Sequence, residues 1–469
     1  MRLRSFVILY ILIMSVCPAL LKAQDSDSLS VIAEEKVEQI PVMTKAWKDS
    51  INERTKAARR LSTDARNPDF KTARRHVKRL LYLADSLRCP MATHWVTAGD
   101  VEDLAFNYER NKPALGKKTD EKECLAAAKQ CYLYYRAAYN EYKNAPAAYG
   151  KEANKNCRRI QPVAMQYYLL TKGFLVNAGQ SFAKNDLETT LDEFKLSYDG
   201  SVKPFLLEQY VYDRKRCAGF ETFMADSTKN KTLYNCGTVA MTLKRYDESL
   251  AFFDTLKVKG YELDKVYRNT LAIYYALNDT VRMMDELDAA IRLMPTNTWF
   301  KKNLLQMYID RQNWNEAQTL AAEITAIDPN DAQALCMKGQ LYEHEGYTYQ
   351  ALDIYQQSYA LDSTQANVCS FIGRIYYNRA VQEKEKLFDQ KKTSLTVKRL
   401  TPLYDRAQPW YERAFALDTD HLDPTIALAL REMLYFRFTQ INCPNSAELI
   451  DYYNEVSRAY GMMEFGTNY

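Results

Sequence analysis

The sequence predicts an all-α protein, an α-solenoid of stacked helix-turn-helix repeats, and three observations support this prediction. Residue types recur every 34 positions from Lys231 onward, a period that fits two helices and their turns. No stretch alternates Val, Ile and Thr between Gly-Pro turns, as the strands of a sheet would. Hydrophobic residues make up 47% of the chain, and its 35 Tyr residues suit many small helix interfaces that each need a ring with a polar tip.

Residues 1–23 have the pattern of a signal peptide. A basic start is followed by an apolar run, residues 6–21, and by Ala23, a small residue of the kind that precedes signal-peptidase cleavage. The run is shorter than the roughly 20 residues that a transmembrane helix needs. We therefore expect an exported, periplasmic protein without a membrane span in the mature chain, with peripheral envelope association left open. Less favoured alternatives are secretion and a lipid anchor on Cys17, where Val16 is larger than the residue such sites prefer.

Residues 24–45 are predicted to be a polar linker. The leader holds three basic residues and no acidic one, so its removal lowers the formal net charge from +4 to +1. A nucleic-acid-binding protein usually has a strong basic excess, because its affinity comes from neutralising phosphates. The nearly neutral charge argues against nucleic acid as a partner.

Residues 46–230 are predicted to be degenerate helical repeats. A helical hairpin over Ala46–Cys89 is expected to break at Asn67-Pro68-Asp69, because these residue types interrupt a helix. Trp95 and Gly99 then begin a second helix pair. A third pair is expected from about Pro162, with Gly179 and Phe182 on its first helix and Leu191 and Phe194 on its second.

Residues 231–420 form the regular array, with units that begin near 231, 264, 298, 332 and 366. One column of the repeat holds Gly237, Leu271, Leu305, Gly339 and Gly373. Two later columns hold Ser249, Met283, Ala317 and Ala351, and then Phe253, Leu287, Ala321 and Tyr355. Small residues let two antiparallel helices approach closely, and an aromatic ring fills the groove between them. Where Leu replaces Gly, we expect looser packing.

These columns resemble the tetratricopeptide repeat (TPR) family. The unit from Ala332 has Gly339, Ala351 and Tyr355 at the family's positions, and the two units before it close on Pro295 and Pro329, since Pro stops the second helix. The resemblance is to an exported TPR-containing protein of a Gram-negative bacterium. It implies a scaffold that binds a protein or peptide.

The last part of the array departs from the strict period. A segment rich in Lys, Glu and Gln, residues 381–400, separates the two helices of the fifth unit and is expected to be either a long extension of the hairpin or a projecting loop. Residues 421–469 are predicted to be C-terminal capping helices that shield the last repeat from solvent.

The chain carries no recognisable catalytic or metal-binding motif. It lacks the glycine-rich phosphate loops, the GxSxG elbow and the HExxH zinc motif. Thr348 stands where the second His would follow His344-Glu345, and Leu422 and Asp423 occupy key positions of a calcium loop that would start at Asp418. We therefore expect no enzyme activity, no cofactor and no bound metal. The cysteines have no regular spacing and are expected to be small core residues without disulfides.

The TPR resemblance also points to a binding surface, because in that family the first helix of each unit lines a concave groove. At the family's offsets this chain has aromatic and basic residues, which suit stacking on a peptide and pairing with its carboxylates. The predicted groove residues are Lys231, Tyr234, Lys265, Arg268, Tyr275, Trp299, Lys302, Arg374 and Tyr377. Acidic residues are expected to be scarce on this surface before Asp310 and Glu343, so one end of the groove is expected to be positive and to select an acidic or C-terminal peptide.

The predicted function is that of a non-enzymatic protein- or peptide-binding scaffold of the cell envelope. The alternative is an accessory protein that binds a glycan or another non-protein ligand in a Tyr-rich groove. An enzyme without a recognisable motif is the third hypothesis. Nothing in the sequence identifies the partner, the pathway or the oligomeric state.

Overall fold

The computed structural model describes residues 45–64, 67–390, 396–440 and 445–466. The predicted signal peptide, Cys17 and the linker up to residue 44 lie outside the described residues. All regular secondary structure in the described ranges is helical, which confirms the all-α prediction. The chain divides into two units, Met1–Lys229 and Asn230–Tyr469.

The described residues of the first unit form ten α-helices and two short 3-10 turns, the latter at Lys112–Leu115 and Lys172–Phe174. The helices are α1 (Lys45–Thr63), α2 (Phe70–Ser86), α3 (Ala92–Asn111), α4 (Glu121–Asn144), α5 (Pro146–Tyr149), α6 (Lys151–Leu170), α7 (Leu175–Ala183), α8 (Leu187–Val202), α9 (Pro204–Tyr212) and α10 (Glu221–Met224).

Aspartate side chains cap three helices of this unit, α2, α4 and α8. The side chain of Asp69 accepts from the Thr72 backbone N–H at the start of α2, and Asp186 does the same for Thr189 at the start of α8. Such caps satisfy backbone donors that have no partner within the helix. The break predicted around Pro68 therefore lies where α1 has ended and α2 begins.

The second unit consists of paired helices of similar length, followed by a longer pair and two terminal helices. They are α11 (Asp226–Thr242), α12 (Tyr246–Val258), α13 (Leu263–Ala276), α14 (Thr280–Leu293), α15 (Thr298–Asp310), α16 (Trp314–Ile327), α17 (Ala332–His344), α18 (Thr348–Leu361), α19 (Ala366–Asp389), α20 (Thr396–Leu417), α21 (Pro424–Gln440) and α22 (Ser446–Ala459). Each helix from α12 to α21 packs against the next one along the chain. The unit is a stack of helix-turn-helix repeats, as the 34-residue period predicts.

The backbone repeats with the same period as the sequence. The turn within each of the first four pairs has one residue in the left-handed region, and these residues are 34 positions apart: Lys244 (φ 59°), Asn278 (φ 54°), Gln312 (φ 61°) and Gly346 (φ 83°). Gly and Asn adopt this conformation with little strain, whereas Lys and Gln do so at some cost. The turn geometry is therefore fixed by the repeat and not by the residue type.

The glycines of the first repeat column lie against aromatic rings. A Cβ atom on Gly339 would lie 2.6 Å from Cδ1 of Tyr355, and one on Gly237 would lie 2.6 Å from Cε1 of Phe253. In the fifth pair, a Cβ atom on Gly373 would lie 2.9 Å from Cδ2 of Tyr411. The absence of a side chain at these positions is what lets a ring fill the groove between paired helices.

The two leucines of the same column do not loosen their repeats, contrary to expectation. Leu271 and Leu305 are buried, and so are the residues at the aromatic position of their repeats, Leu287 and Ala321. All four belong to one hydrophobic cluster. A larger residue on the first helix is matched by a smaller one on the second, so the volume of the contact is conserved.

The glycines of the first unit differ in what they contact. Gly99 on α3 lies against the ring of Tyr135 on α4, but no atom would lie within 4 Å of a Cβ on Gly179. The ring of Tyr168 on α6 instead meets Gly200, on α8. Gly179 lies on an open face of α7, which is a separate helix from α6, the one that contains Pro162.

The described parts of the 381–400 segment extend the two helices of the fifth hairpin, since α19 and α20 have 24 and 22 residues, against 13 or 14 in α13 to α18. Residues 391–395 lie outside the described residues. The two terminal helices pack against each other and α21 packs on α20. The eight described cysteines are all buried. In the described part of the chain, no helix is both long and apolar enough to cross a membrane.

Candidate functional site

The nine predicted groove residues all belong to the first helices of their pairs in the second unit. We call the seven on α11, α13 and α15 the aromatic-basic row: Lys231, Tyr234, Lys265, Arg268, Tyr275, Trp299 and Lys302. Arg374 and Tyr377 lie on α19, two helix pairs further along the chain.

The centre of the row is a cation stacked on an indole. The guanidinium carbon of Arg268 lies 3.9 Å from the ring centroid of Trp299, so α13 and α15 are joined by a cation–π contact. Arg268 Nε donates to Asp264 Oδ2 at 2.9 Å, and Asn297 Nδ2 donates to Asp264 Oδ1 at 2.7 Å. These bonds fix the arginine over the ring, and the hydrogen bond from Arg268 lowers the pKa of Asp264 below its usual value.

Polar contacts also join the other first helices in succession. Asn269 Nδ2 on α13 donates to the hydroxyl of Tyr234 on α11 at 3.0 Å. Lys302 Nζ on α15 lies 2.8 Å from Oδ2 of Asp331, the residue that caps α17. The row is therefore held by contacts between repeats as well as within them.

Most cations of the predicted site already have carboxylate partners. Besides the two pairs just described, Lys265 Nζ lies 2.9 Å from Glu262 Oε2, and Arg374 Nη2 lies 2.8 Å from Glu343 Oε2. The expectation of a strongly positive end counted too few acidic residues, because Glu262, Asp264 and Asp331 were not assigned to the surface. Within the described residues Lys231 forms no ion pair, and it is exposed.

The side chains of the row differ in how much surface they offer. Tyr275 is 76% exposed and Lys265 is exposed, whereas Trp299 and Tyr234 are partly buried. Lys302 is largely buried in its pair with Asp331. A ligand would therefore meet Tyr275 and Lys265 directly, and Arg268 and Trp299 as a fixed platform.

The structure does not bring Arg374 and Tyr377 into the same row. The positions of α17 that correspond to Trp299 and Lys302 are Gln333 and Cys336, and the cysteine is buried. The succession of aromatic and basic residues at the groove positions is therefore interrupted at α17. The hydroxyl of Tyr377 donates to a carboxylate oxygen of Glu432 on α21, so this tyrosine belongs to a different group of residues.

The prediction missed two features that do not follow the groove offsets. A cleft of about 480 Å³ opens between α16 and α17 and includes Thr325 and Tyr342 in its lining. The residues one period away from Thr325 are Ile291 and Tyr359, so the cleft lies where this repeat has a smaller side chain than its neighbours. This difference in size is visible when the repeats are aligned in the sequence. Glu432 was missed because it lies beyond the repeats.

His344 and Asp418, which begin the incomplete zinc and calcium motifs of the sequence, have structural roles. The ring of His344 stacks on Trp314 with centroids 3.7 Å apart. The carboxylate of Asp418 accepts from the backbone N–H groups of Leu422 and Asp423, at 3.1 and 3.2 Å, and so closes the turn before α21. In the described ranges no three His, Cys, Asp or Glu side chains are grouped so that they could hold a metal ion.

The chain matches no known family profile, and no curated protein matches its sequence. Among solved structures it is similar to tetratricopeptide-repeat proteins. A TPR protein from Parabacteroides merdae shares 14% identity, with 56% of this chain and 98% of that one covered and a TM-score of 0.33. A TPR protein from Bacteroides fragilis shares 16% identity, covering 61% and 96%, with a TM-score of 0.22. YrrB, described as a TPR protein with an unusual peptide-binding site, shares 17% identity, covering 42% and 91%, with a TM-score of 0.29.

Proposed function

We propose that this chain is an exported, non-enzymatic scaffold of the TPR type, which binds a peptide segment of another protein in the cell envelope. The binding surface is the aromatic-basic row of α11, α13 and α15. Arg374 and Tyr377 contribute a separate, second contact on α19.

The observation that supports this proposal is the fixed platform of Arg268 and Trp299. A surface arginine normally samples many rotamers, and a ligand that immobilises it loses binding energy. Here Asp264, which is itself held by Asn297, already keeps the guanidinium over the indole. Less side-chain entropy is therefore lost when a ligand binds. The flat platform, with the exposed ring of Tyr275 on the same helix as Arg268, suits an extended segment that stacks and hydrogen-bonds.

The charge pairs determine where an acidic group of the partner would bind. Arg268 and Lys302 are already neutralised by neighbouring carboxylates, and the pair of Lys302 is shielded from solvent. Lys231 and Lys265 are exposed, and among the described residues only Glu262 forms an ion pair with either of them. We place the acidic end of the bound peptide at these two lysines.

The test compares two triple variants of the full chain by cross-linking in the native envelope followed by mass spectrometry. The first carries Lys231→Glu, Lys265→Glu and Tyr275→Ala. The control has the same chemical changes at exposed positions of the first unit: Lys56→Glu, Lys71→Glu and Tyr212→Ala. We expect the first variant to lose the cross-linked partners of the parent, and the control to keep them.

Retention of the same partners by the row variant would refute the assignment of the surface. Binding that weakens as the salt concentration rises would support an acidic partner, since exposed charge pairs are screened. The rings of Tyr275 and Trp299 are also surfaces on which a sugar can stack, so a glycan screen of the same two variants tests the alternative function. Export is tested by sequencing the mature N-terminus, which should begin at Gln24.

A further inference from the structure

The long hairpin of α19 and α20 has two clefts of opposite charge. Both lie along the part of the hairpin that exceeds the length of the other repeats, and Glu432 of α21 completes the acidic one. Neither belongs to the aromatic-basic row or to the repeat columns. Their opposite charge and the exposed ring of Phe388 are the basis of a proposal about self-association.

The acidic cleft has a volume of about 600 Å³. It is lined by Val381, Lys384, Glu385, Phe388, Asp389 and Glu432, together with Tyr377 of the proposed second contact. One lysine against three carboxylates gives a formal charge of −2. Lys384 Nζ lies 2.9 Å from Glu432 Oε1, while Glu385 and Asp389 form no ion pair within the described residues. Phe388 is 75% exposed, although it is a large apolar side chain.

The basic cleft has a volume of about 590 Å³. It is lined by Glu383, Lys398, Arg399, Pro402, Leu403 and Arg406. Three cations against one carboxylate give a formal charge of +2. In the described part of the chain, Lys398, Arg399 and Arg406 have no ion-pair partner, and all three are exposed.

The two clefts open on opposite faces of α19. An α-helix advances about 100° per residue, so Val381, Glu385 and Phe388 share one face. Glu383, which lines the basic cleft, is about 200° from Val381. The two clefts of one chain therefore face different directions, and one contact patch of this size meets only one of them.

We propose that the basic cleft of one copy of this chain binds the acidic cleft of a second copy. Arg399 and Arg406 of the first copy pair with Glu385 and Asp389 of the second, and Phe388 is buried in the contact. The complementary charges of −2 and +2 within one sequence favour a second copy over an unrelated basic protein, which would fill only the acidic cleft. Because the two clefts face apart, the contact is head-to-tail and leaves one cleft free at each end of the assembly.

The test measures self-association of the full mature chain by sedimentation velocity over a range of protein and salt concentrations. We expect the average mass to rise with protein concentration at low salt and to fall towards that of a monomer at high salt. Two charge-reversed variants are compared: Glu385→Lys with Asp389→Lys, and Arg399→Glu with Arg406→Glu. Each alone should associate at least tenfold more weakly, equivalent to about 1.4 kcal/mol.

An equimolar mixture of the two variants should associate again, because the intact basic cleft of one meets the intact acidic cleft of the other. The matched control is Asp451→Lys with Glu455→Lys, which makes the same charge change at the same four-residue spacing on exposed positions of α22. This control should associate as the parent does. Far-UV circular dichroism checks that each variant stays folded.

Three results would overturn the proposal: a parent chain that is monomeric at every concentration, reversed variants that associate like the parent, or a mixture that stays monomeric. If the parent chain is monomeric, the occupant of the acidic cleft would have to be a different, basic protein, and this outcome also contradicts the proposal. None of the four substitutions touches the aromatic-basic row, so failure here is separate from failure of that binding surface. The two proposals share only Tyr377 of the second contact, which also lines the acidic cleft.

Discussion

Gly339 can be replaced by alanine only if the ring of Tyr355 moves. In an open helix the change from glycine to alanine stabilises by roughly 1 kcal/mol, because alanine has the better helix propensity. In α17 the new methyl carbon would lie 2.6 Å from Cδ1 and 3.0 Å from Cζ of the tyrosine ring. Ordinary carbon contacts are about 3.5–4.0 Å, so the ring must shift by about 1 Å.

The surroundings of Tyr355 oppose that shift. The ring is completely buried and packs on Phe371, with centroids 5.3 Å apart. Its hydroxyl donates to Glu343 Oε2 at 3.0 Å, and Glu343 also binds Arg374. Overpacking of a confined core site costs about 1–3 kcal/mol, which exceeds the gain in helix propensity. We therefore expect Gly339→Ala to destabilise the second unit.

The matched control is Gly179→Ala in α7, where no atom would lie within 4 Å of the added carbon. This variant should be as stable as the parent or more so. Thermal melting followed by circular dichroism gives the sign of each effect, and hydrogen exchange of the α17 and α18 amides shows whether the loss is local. If Gly339→Ala melts at or above the parent temperature, the packing argument is wrong.

A double variant tests the same reasoning from the other side. The third pair of the array has Leu305 and Ala321 where the fourth has Gly339 and Tyr355, and both of its residues are buried. Gly339→Leu combined with Tyr355→Ala should therefore lose less stability than the sum of the two single changes. Simple additivity would mean that the two positions do not share one contact.

Other substitutions and conditions have equally definite outcomes. Ala351→Phe should lower the free energy of unfolding by about 1–3 kcal/mol in urea titrations, since Ala351 is completely buried. Lys302→Glu should cost roughly 3 kcal/mol by the same measurement, because the new carboxylate faces the shielded Asp331. The exposed Lys265→Glu should cost clearly less, because water screens its pair with Glu262. Dithiothreitol should leave the thermal midpoint unchanged, and a drop of about ten degrees would reveal a disulfide. Burial raises the pKa of Cys336 to about 12, so the thiol stays protonated in the folded chain at pH values where it ionises in the unfolded chain. This contribution to stability should be fully present below pH 9 and should be lost progressively between pH 9 and 12. Thermal melts at increasing pH measure the loss.

The repeat period made most of the second unit predictable, because each column is sampled several times. Gly339 and Tyr355 were assigned to one contact from the columns alone. The effect of Leu271 was predicted incorrectly, since the columns were considered one at a time and not as pairs of matched size. In the first unit there is no such repetition, and spacing alone could not show that Gly200, rather than Gly179, meets a ring.

The positions of the site residues were predictable, but their charge environment was not. The helix offsets place Arg268 and Lys302 on the first helices, where the structure has them. Their partners Asp264 and Asp331 lie at or just before helix starts, at positions that the groove offsets do not include. Because the groove positions leave out these two aspartates, the groove positions alone overestimate the positive charge of the surface.

The same residues that begin the helices also orient the binding surface. Asn297 accepts from the Trp299 backbone N–H at the start of α15, and its amide donates to Asp264, which holds Arg268. Asp331 caps α17 and binds Lys302 of the preceding pair. Because each of these side chains joins two successive repeats, the stacking of the repeats and the orientation of the row depend on the same hydrogen bonds. A substitution that loosens one junction should therefore displace the platform beside it, while the more distant repeats, which contact only their neighbours, keep their structure.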